Sequence, residues 1–130
     1  MKVVYDDRNV PHIFATNEED AYRALGYVVA RDRLFQMYVQ TLAATGRLSE
    51  LAGARALPLD REARGLGLPR SAERKMAAAG DTSAFMKYAV AYADGVNAYV
   101  AQLSPSELHS SFGSSARRRR YGRPSIRITC

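Results

Sequence analysis

Tryptophan is absent from this 130-residue chain, and cysteine and histidine are almost absent: one Cys, at position 130, and two His, at positions 12 and 109. A single thiol excludes an internal disulfide and any cysteine-based metal cluster, and leaves the redox compartment open. His12 and His109 are far apart and fit no metal-binding spacing of the His-Glu-x-x-His kind. There is no Gly-x-Ser-x-Gly elbow and no phosphate-binding Walker loop. No run of about 18 apolar residues exists to cross a bilayer. The opening Met1-Lys2-Val3-Val4-Tyr5-Asp6-Asp7 lacks the long apolar stretch and small-residue cleavage site of a secretory signal, so the compartment stays unassigned. His12, beside Pro11 in a predicted strand, is expected to be a hydrogen-bonded structural histidine. No catalytic, cofactor-binding or metal-ligating residue is assigned on these grounds.

What is present suits one modest α+β domain, with 47% apolar residues. The net charge is +6, but residues 104–130 carry six arginines against one acid, so five of the six net charges fall there. The basic run Arg117–Arg120 has the composition of a phosphate-contacting cluster. A disordered charged tail is the preferred reading, because the remainder of the chain is close to neutral.

The N-terminus predicts a hairpin. Lys2–Tyr5 is rich in β-branched and aromatic side chains, Asp6-Asp7-Arg8-Asn9 is turn-like, and Val10–Ala15 resumes a strand. Pro11 cannot donate to a ladder, so one edge of that sheet is blunted. A long helix is expected from about Glu18 to about Thr45, capped by Thr16 or Asn17, with Glu18, Glu19 and Asp20 at the positive end of its dipole. Gly46 interrupts it, a short helical turn follows to Gly53, and residues 54–69 suit a surface helix or an irregular crossover. Ser71–Ala79 and Ser83–Leu103 read as two further helices. In the last, Phe85, Tyr88, Ala89, Tyr92, Val96, Tyr99, Val100 and Leu103 form a broad apolar face, most simply a core stripe. Gly26 costs the long helix about 1 kcal/mol relative to alanine, and its expected use is close approach of another backbone. Asp32 is the one charge on the face 21, 25, 28, 32, 35, 39; a buried ion pair or cap with a remote donor is expected, since Arg31 and Arg33 point to other faces.

Five segments in order carry a resemblance. Val10-Pro11-His12-Ile13-Phe14-Ala15, Ala21 to Gly26-Tyr27-Val28, Ala30-Arg31-Asp32-Arg33-Leu34-Phe35-Gln36-Met37, Gly46-Arg47-Leu48-Ser49-Glu50 and Tyr92-Ala93-Asp94-Gly95-Val96-Asn97-Ala98-Tyr99 together resemble the front of the alpha chain of the penicillin acylase family. The likeness covers residues 2–103, and 104–130 is expected to be a disordered or frameshifted basic tail. The resemblance implies a fragment of a four-layer αββα N-terminal-nucleophile hydrolase, a precursor cut into alpha and beta chains. It implies cleavage of linear amide C–N bonds in β-lactam antibiotic side chains, N-acyl amino acids or acyl-homoserine lactones. The serine nucleophile and the oxyanion donors would lie on the beta chain, the expected partner; Ser71, Ser83 and Ser104 do not match the nucleophile. The Asp32 segment is matched as framework. No cofactor is expected in this chain, although the family often holds a structural calcium. Many family members are exported. Neither a nucleic-acid nor a membrane partner is expected.

After Leu103 the family pattern is lost. GC-rich codons chosen for His109–Arg120 and read one base out of phase spell Pro-Leu-Glu-Phe-Arg-Leu-Leu-Gly, which motivates the frameshift expectation. On its own the chain is expected to be inactive, with Tyr88, Tyr92 and Tyr99 exposed and prone to aggregation. Two rivals from other classes are a basic-tailed nucleic-acid-binding protein and a small helical interaction module that docks through its tyrosine face. Neither explains the ordered run of acylase-like motifs.

Overall fold

The computed structural model describes residues 1–80 and 83–104; the basic stretch 105–130, His109 and the Arg117–Arg120 run lie outside the described residues. The hairpin forms as expected. Strands β1 (Lys2–Tyr5) and β2 (Pro11–Phe14) pair antiparallel in the register Lys2↔Phe14, Val3↔Ile13, Val4↔His12 and Tyr5↔Pro11. Asp6 organises the turn: its Oδ1 accepts the Arg8 and Val10 amides at 3.0 and 2.8 Å, and Asn9 takes a left-handed φ of 61°. The Val10 amide is the main reason that the Asp6 carboxyl sits below its ordinary range. His12 Nε2 lies 3.3 Å from Asp6 Oδ2, so this histidine is tied into the hairpin.

Helix α1 (Glu18–Ala44) starts at Asn17, whose Oδ1 accepts the Asp20 amide at 2.7 Å while its Nδ2 donates to Asp20 Oδ2 at 3.0 Å. Asn17 is therefore the cap, and its side-chain amide holds Asp20 at a second point. The helix ends in a Schellman arrangement, with Arg47 N donating to Leu42 O at 2.8 Å and Gly46 N to Ala43 O at 3.2 Å. Helix α2 (Ser49–Ala52) and a 3-10 turn (Gly53–Ala56) follow, then α3 (Leu57–Leu66), α4 (Leu68–Ala79) and α5 (Ala84–Gln102). The prolines of the middle stretch, Pro58 and Pro69, sit in the opening positions of α3 and α4, where a missing N–H costs no helical hydrogen bond. Ser83 caps α5 by accepting the Met86 amide at 3.2 Å.

The dominant packing is α1 against α5. Ala30, Leu34 and Val96 form its buried centre, and Met37, Tyr92, Tyr99, Val100 and Leu103 pack around them. Two glycines set the crossing. A Cβ on Gly26 would overlap the Tyr92 carbonyl, and one on Gly95 would overlap the Arg23 carbonyl. The expected close backbone approach at Gly26 is thus present, and Gly95 is its reciprocal on α5.

Two expectations are corrected. Asp32 is not buried: its carboxylate is 38% exposed and accepts from its sequence neighbour, Arg31 Nε, at 3.0 Å. The buried positions of α1 are Ala24, Gly26, Val28, Ala30, Leu34 and Leu42, whereas Leu25 and Phe35 of the anticipated stripe remain 39% and 38% exposed. The small residue at 26 admits the α5 backbone and so decides which side is core. A kink at Arg33 (φ −142°, ψ 29°) also breaks the regular register on which the anticipated face depended. Second, the tyrosines of α5 are committed rather than left open. Tyr88 stacks on Tyr22 at 4.8 Å and its hydroxyl donates to Glu18, Tyr92 packs on the core, and Tyr99 meets Tyr27 edge-on at 5.4 Å.

The Tyr88 hydroxyl titrates above its ordinary value, first because of the hydrogen bond to the Glu18 carboxylate. Glu18→Gln is expected to bring that titration back toward the usual tyrosine range. Spectrophotometric titration with Tyr88→Phe as the assignment control checks it; an unchanged profile would show that the contact does not persist in solution.

Candidate functional site

The one buried charged side chain among the described residues is Asp60, only 3% exposed. It stands in α3 and reaches back to the segment Gly46-Arg47-Leu48-Ser49-Glu50, where its Oδ1 accepts the Leu48 amide at 2.7 Å and its Oδ2 the Ser49 amide at 2.9 Å. These amides open α2 and have no partner within that helix. Arg64, one turn along α3, donates from Nε to Gly46 O at 2.9 Å. Gly46 has φ 64°, and a Cβ there would press on the Asp60 carbonyl at 2.7 Å, so both handedness and space demand glycine. Arg47 closes the segment on itself with a two-point pair to Glu50 at 2.7 and 2.9 Å.

Burial pushes the Asp60 carboxyl up, but hydrogen bonds from the Ser49 side chain and from the Ser49 and Leu48 amides, with Arg64 nearby, outweigh it and leave the group below its ordinary value. Glu50 is likewise lowered, chiefly by Arg47. An ionised carboxylate with a depressed pKa and committed lone pairs is a poor base for the Ser49 hydroxyl. The cluster therefore fixes chain geometry, with Asp60 and Arg64 binding the backbone of the Gly46–Glu50 segment. Nothing local marked Asp60 as special: its partners lie eleven and twelve residues back along the chain.

A second assembly joins the hairpin to α1, with the Arg31 guanidinium 4.3 Å above the Tyr5 ring and held from the side by Asp32. Of the serines set aside above, Ser83 is the α5 cap and Ser71 is exposed on α4. No group of three or more His, Cys, Asp or Glu among the described residues could hold a metal ion. The larger surface hollow, lined by Asn17, Glu18, Glu19, Asp20 and Tyr88, contains neither a nucleophile nor a base paired to one. No helix among the described residues is long and apolar enough to cross a membrane.

The glycine crossing, the Gly46–Glu50 segment held by Asp60 and the Arg31–Asp32 pair all fall in segments that resemble the acylases, and comparison with known proteins decides the matter. The chain matches the Penicillin amidase family over residues 1–118. It belongs to that family. The matched span runs past Leu103 into the basic stretch. Among curated relatives, it is 43% identical over 105 residues to the penicillin acylase 2 proenzyme of Pseudomonas sp. strain SE83, covering 81% of this chain and 13% of that protein. It is 41% identical over 115 residues to the acyl-homoserine lactone acylase QuiP of Pseudomonas putida, covering 88% of this chain and 14% of the relative. With the penicillin G acylase of Escherichia coli the identity is 33% over 100 residues, covering 77% and 12%. The chain thus spans about an eighth of the length of the relatives it matches.

Proposed function

We propose that this chain is the front framework of the alpha subunit of an amide hydrolase that cleaves linear C–N bonds in acylated amines, and that it is inactive by itself. In the complete enzyme, of αββα architecture, a serine at the start of a beta chain attacks the amide carbonyl, with its own α-amino group taking the hydroxyl proton. The amine leaves with that proton, and water then cleaves the acyl ester. Oxyanion donors on the beta chain stabilise both tetrahedral intermediates. Substrates come from the classes acted on by the relatives: β-lactam antibiotic side chains, acyl-homoserine lactones and, by chemical likeness, N-acyl amino acids.

The observation that carries this proposal is the 43% identity to a penicillin acylase proenzyme over 81% of the chain. Two structural features support it. The family-like segment Gly46–Glu50 is held in place through its backbone by Asp60 and Arg64, and Gly26 and Gly95 let α1 and α5 cross closely, as a framework requires. Phe14, Leu25, Phe35 and Phe85 remain 38–63% exposed, and apolar side chains of this size are suited to cover by the remainder of a larger molecule.

The test is a chimera in which this chain replaces the matching residues of the Pseudomonas sp. SE83 relative. Hydrolysis of a chromogenic acyl amide is expected from the chimera and none from the chain alone. A folded chimera without hydrolysis, beside an active parent, sinks the proposal.

A further inference from the structure

Across antiparallel strands, pairs that exchange hydrogen bonds alternate with pairs whose N–H and C=O groups point outward. Asp6 N donates to Val10 O at 3.2 Å, and the register Tyr5↔Pro11, Val4↔His12, Val3↔Ile13 and Lys2↔Phe14 follows from there. Val4/His12 and Lys2/Phe14 are therefore the bonded pairs, while Val3, Tyr5, Pro11 and Ile13 turn their polar backbone away from the partner strand. Along β2 that outward row is interrupted, because Pro11 has no N–H. Along β1 it is complete, with the N–H and C=O of both Val3 and Tyr5.

The sheet holds only these two strands among the described residues, and an isolated two-stranded hairpin is marginal in water. Its outer face carries Val4 at 39% and Phe14 at 60% exposure. The other face is anchored, with α1 lying against β2 and Arg31 stacked on Tyr5. An edge that is open, regular, anchored on α1 and carries an uncovered apolar side chain at Val4 is a template for strand addition.

We infer that the β1 edge, through Val3 and Tyr5, is the docking line for an extended segment of the remaining acylase polypeptide, which adds as a third strand beside Val4. This rests on the function proposed above. The occupant is taken as the same polypeptide because the relatives are about seven to eight times longer than the matched span. A tethered segment also competes at an effective concentration that a second copy does not reach.

Residue-resolved hydrogen exchange on the chain alone and on the SE83 chimera tests it. In the chain alone, the Val3 and Tyr5 amides are expected to exchange quickly and those of Val4 and His12 more slowly. In the chimera, Val3 and Tyr5 should slow by about 100-fold or more. Val3→Pro removes an outward N–H and no bond of the hairpin, so it should abolish the protection at Tyr5 while leaving the circular dichroism of the chain alone unchanged. Fast exchange at both amides in an active chimera overturns the strand addition and leaves the acylase function standing. Protection that grows with concentration in the chain alone overturns it in favour of a second copy. Protection in a folded but inactive chimera supports the docking line and refutes the function.

Discussion

Replacing Gly95 by alanine is expected to lower stability despite raising helix propensity. Within a helix the exchange gains about 1 kcal/mol, and at Gly65 in α3, where nothing lies within 4 Å of the added methyl, a gain of up to that size is expected. At Gly95 the methyl would overlap the Arg23 carbonyl and press on the Tyr27 amide. These are backbone atoms of α1 and cannot rotate aside, so the helices must separate around Ala30, Leu34 and Val96. Overpacking of this kind costs typically 1–3 kcal/mol and more when backbone must shift, which outweighs the propensity gain. Gly26→Ala meets the Tyr92 carbonyl in the same way. Thermal unfolding followed by circular dichroism should place Gly95→Ala and Gly26→Ala below the parent and Gly65→Ala at or above it. Equal midpoints for all three would mean that the crossing is looser than the backbone geometry requires.

Asp60→Ala should be the most damaging exchange of a polar side chain among the described residues, lowering the unfolding midpoint by about 10 °C or more. It strips the Leu48 and Ser49 amides of their acceptor in a half-buried setting and removes a negative charge close to Arg64. Asp60→Asn keeps one acceptor but turns an N–H donor toward the other amide, so it should fall between parent and alanine. The pH dependence follows from the direction of the shift. The Asp60 carboxyl is lowered in the folded chain from its ordinary 3.8. Its contribution is therefore fully present above the unfolded value and is lost as the pH falls through the folded one. As the pH falls below 3.8 and on through the lowered folded value, the parent should lose stability toward the level of Asp60→Ala, and the two curves should converge. Curves that stay parallel to the acid limit would remove the carboxylate from this role.

The elements that were legible in the sequence are those specified by neighbouring residues. Asn17 with Asp20 announces a helix start, the Asp6–Asn9 stretch a tight turn, and Gly46 a helix end, because caps and turns are built from groups within four residues of one another. The stretch with Pro58 and Pro69 allowed a surface helix or an irregular crossover, and it is helical: each proline opens a helix, since proline is costly only where an earlier turn offers a carbonyl to bond. Asp32 and Asp60 show where local reading stops. Both are single acids in helical segments; one is exposed beside Arg31 and the other is buried beneath Leu48 and Ser49. Their spacing does not distinguish them, because burial is decided by which helix face another segment covers.

The sequence by itself determined the family, the hairpin, the extent of the long helix and the use of Gly26, since short-range chemistry and an ordered set of motifs carry that information. Only the tertiary structure decided that Gly95 answers Gly26, that Asp60 holds the Gly46–Glu50 segment, and that β1 keeps the open edge. Each depends on contacts between residues remote in sequence, or on the phase of a hydrogen-bond ladder, and such contacts exist only once α1, α5 and the hairpin have packed.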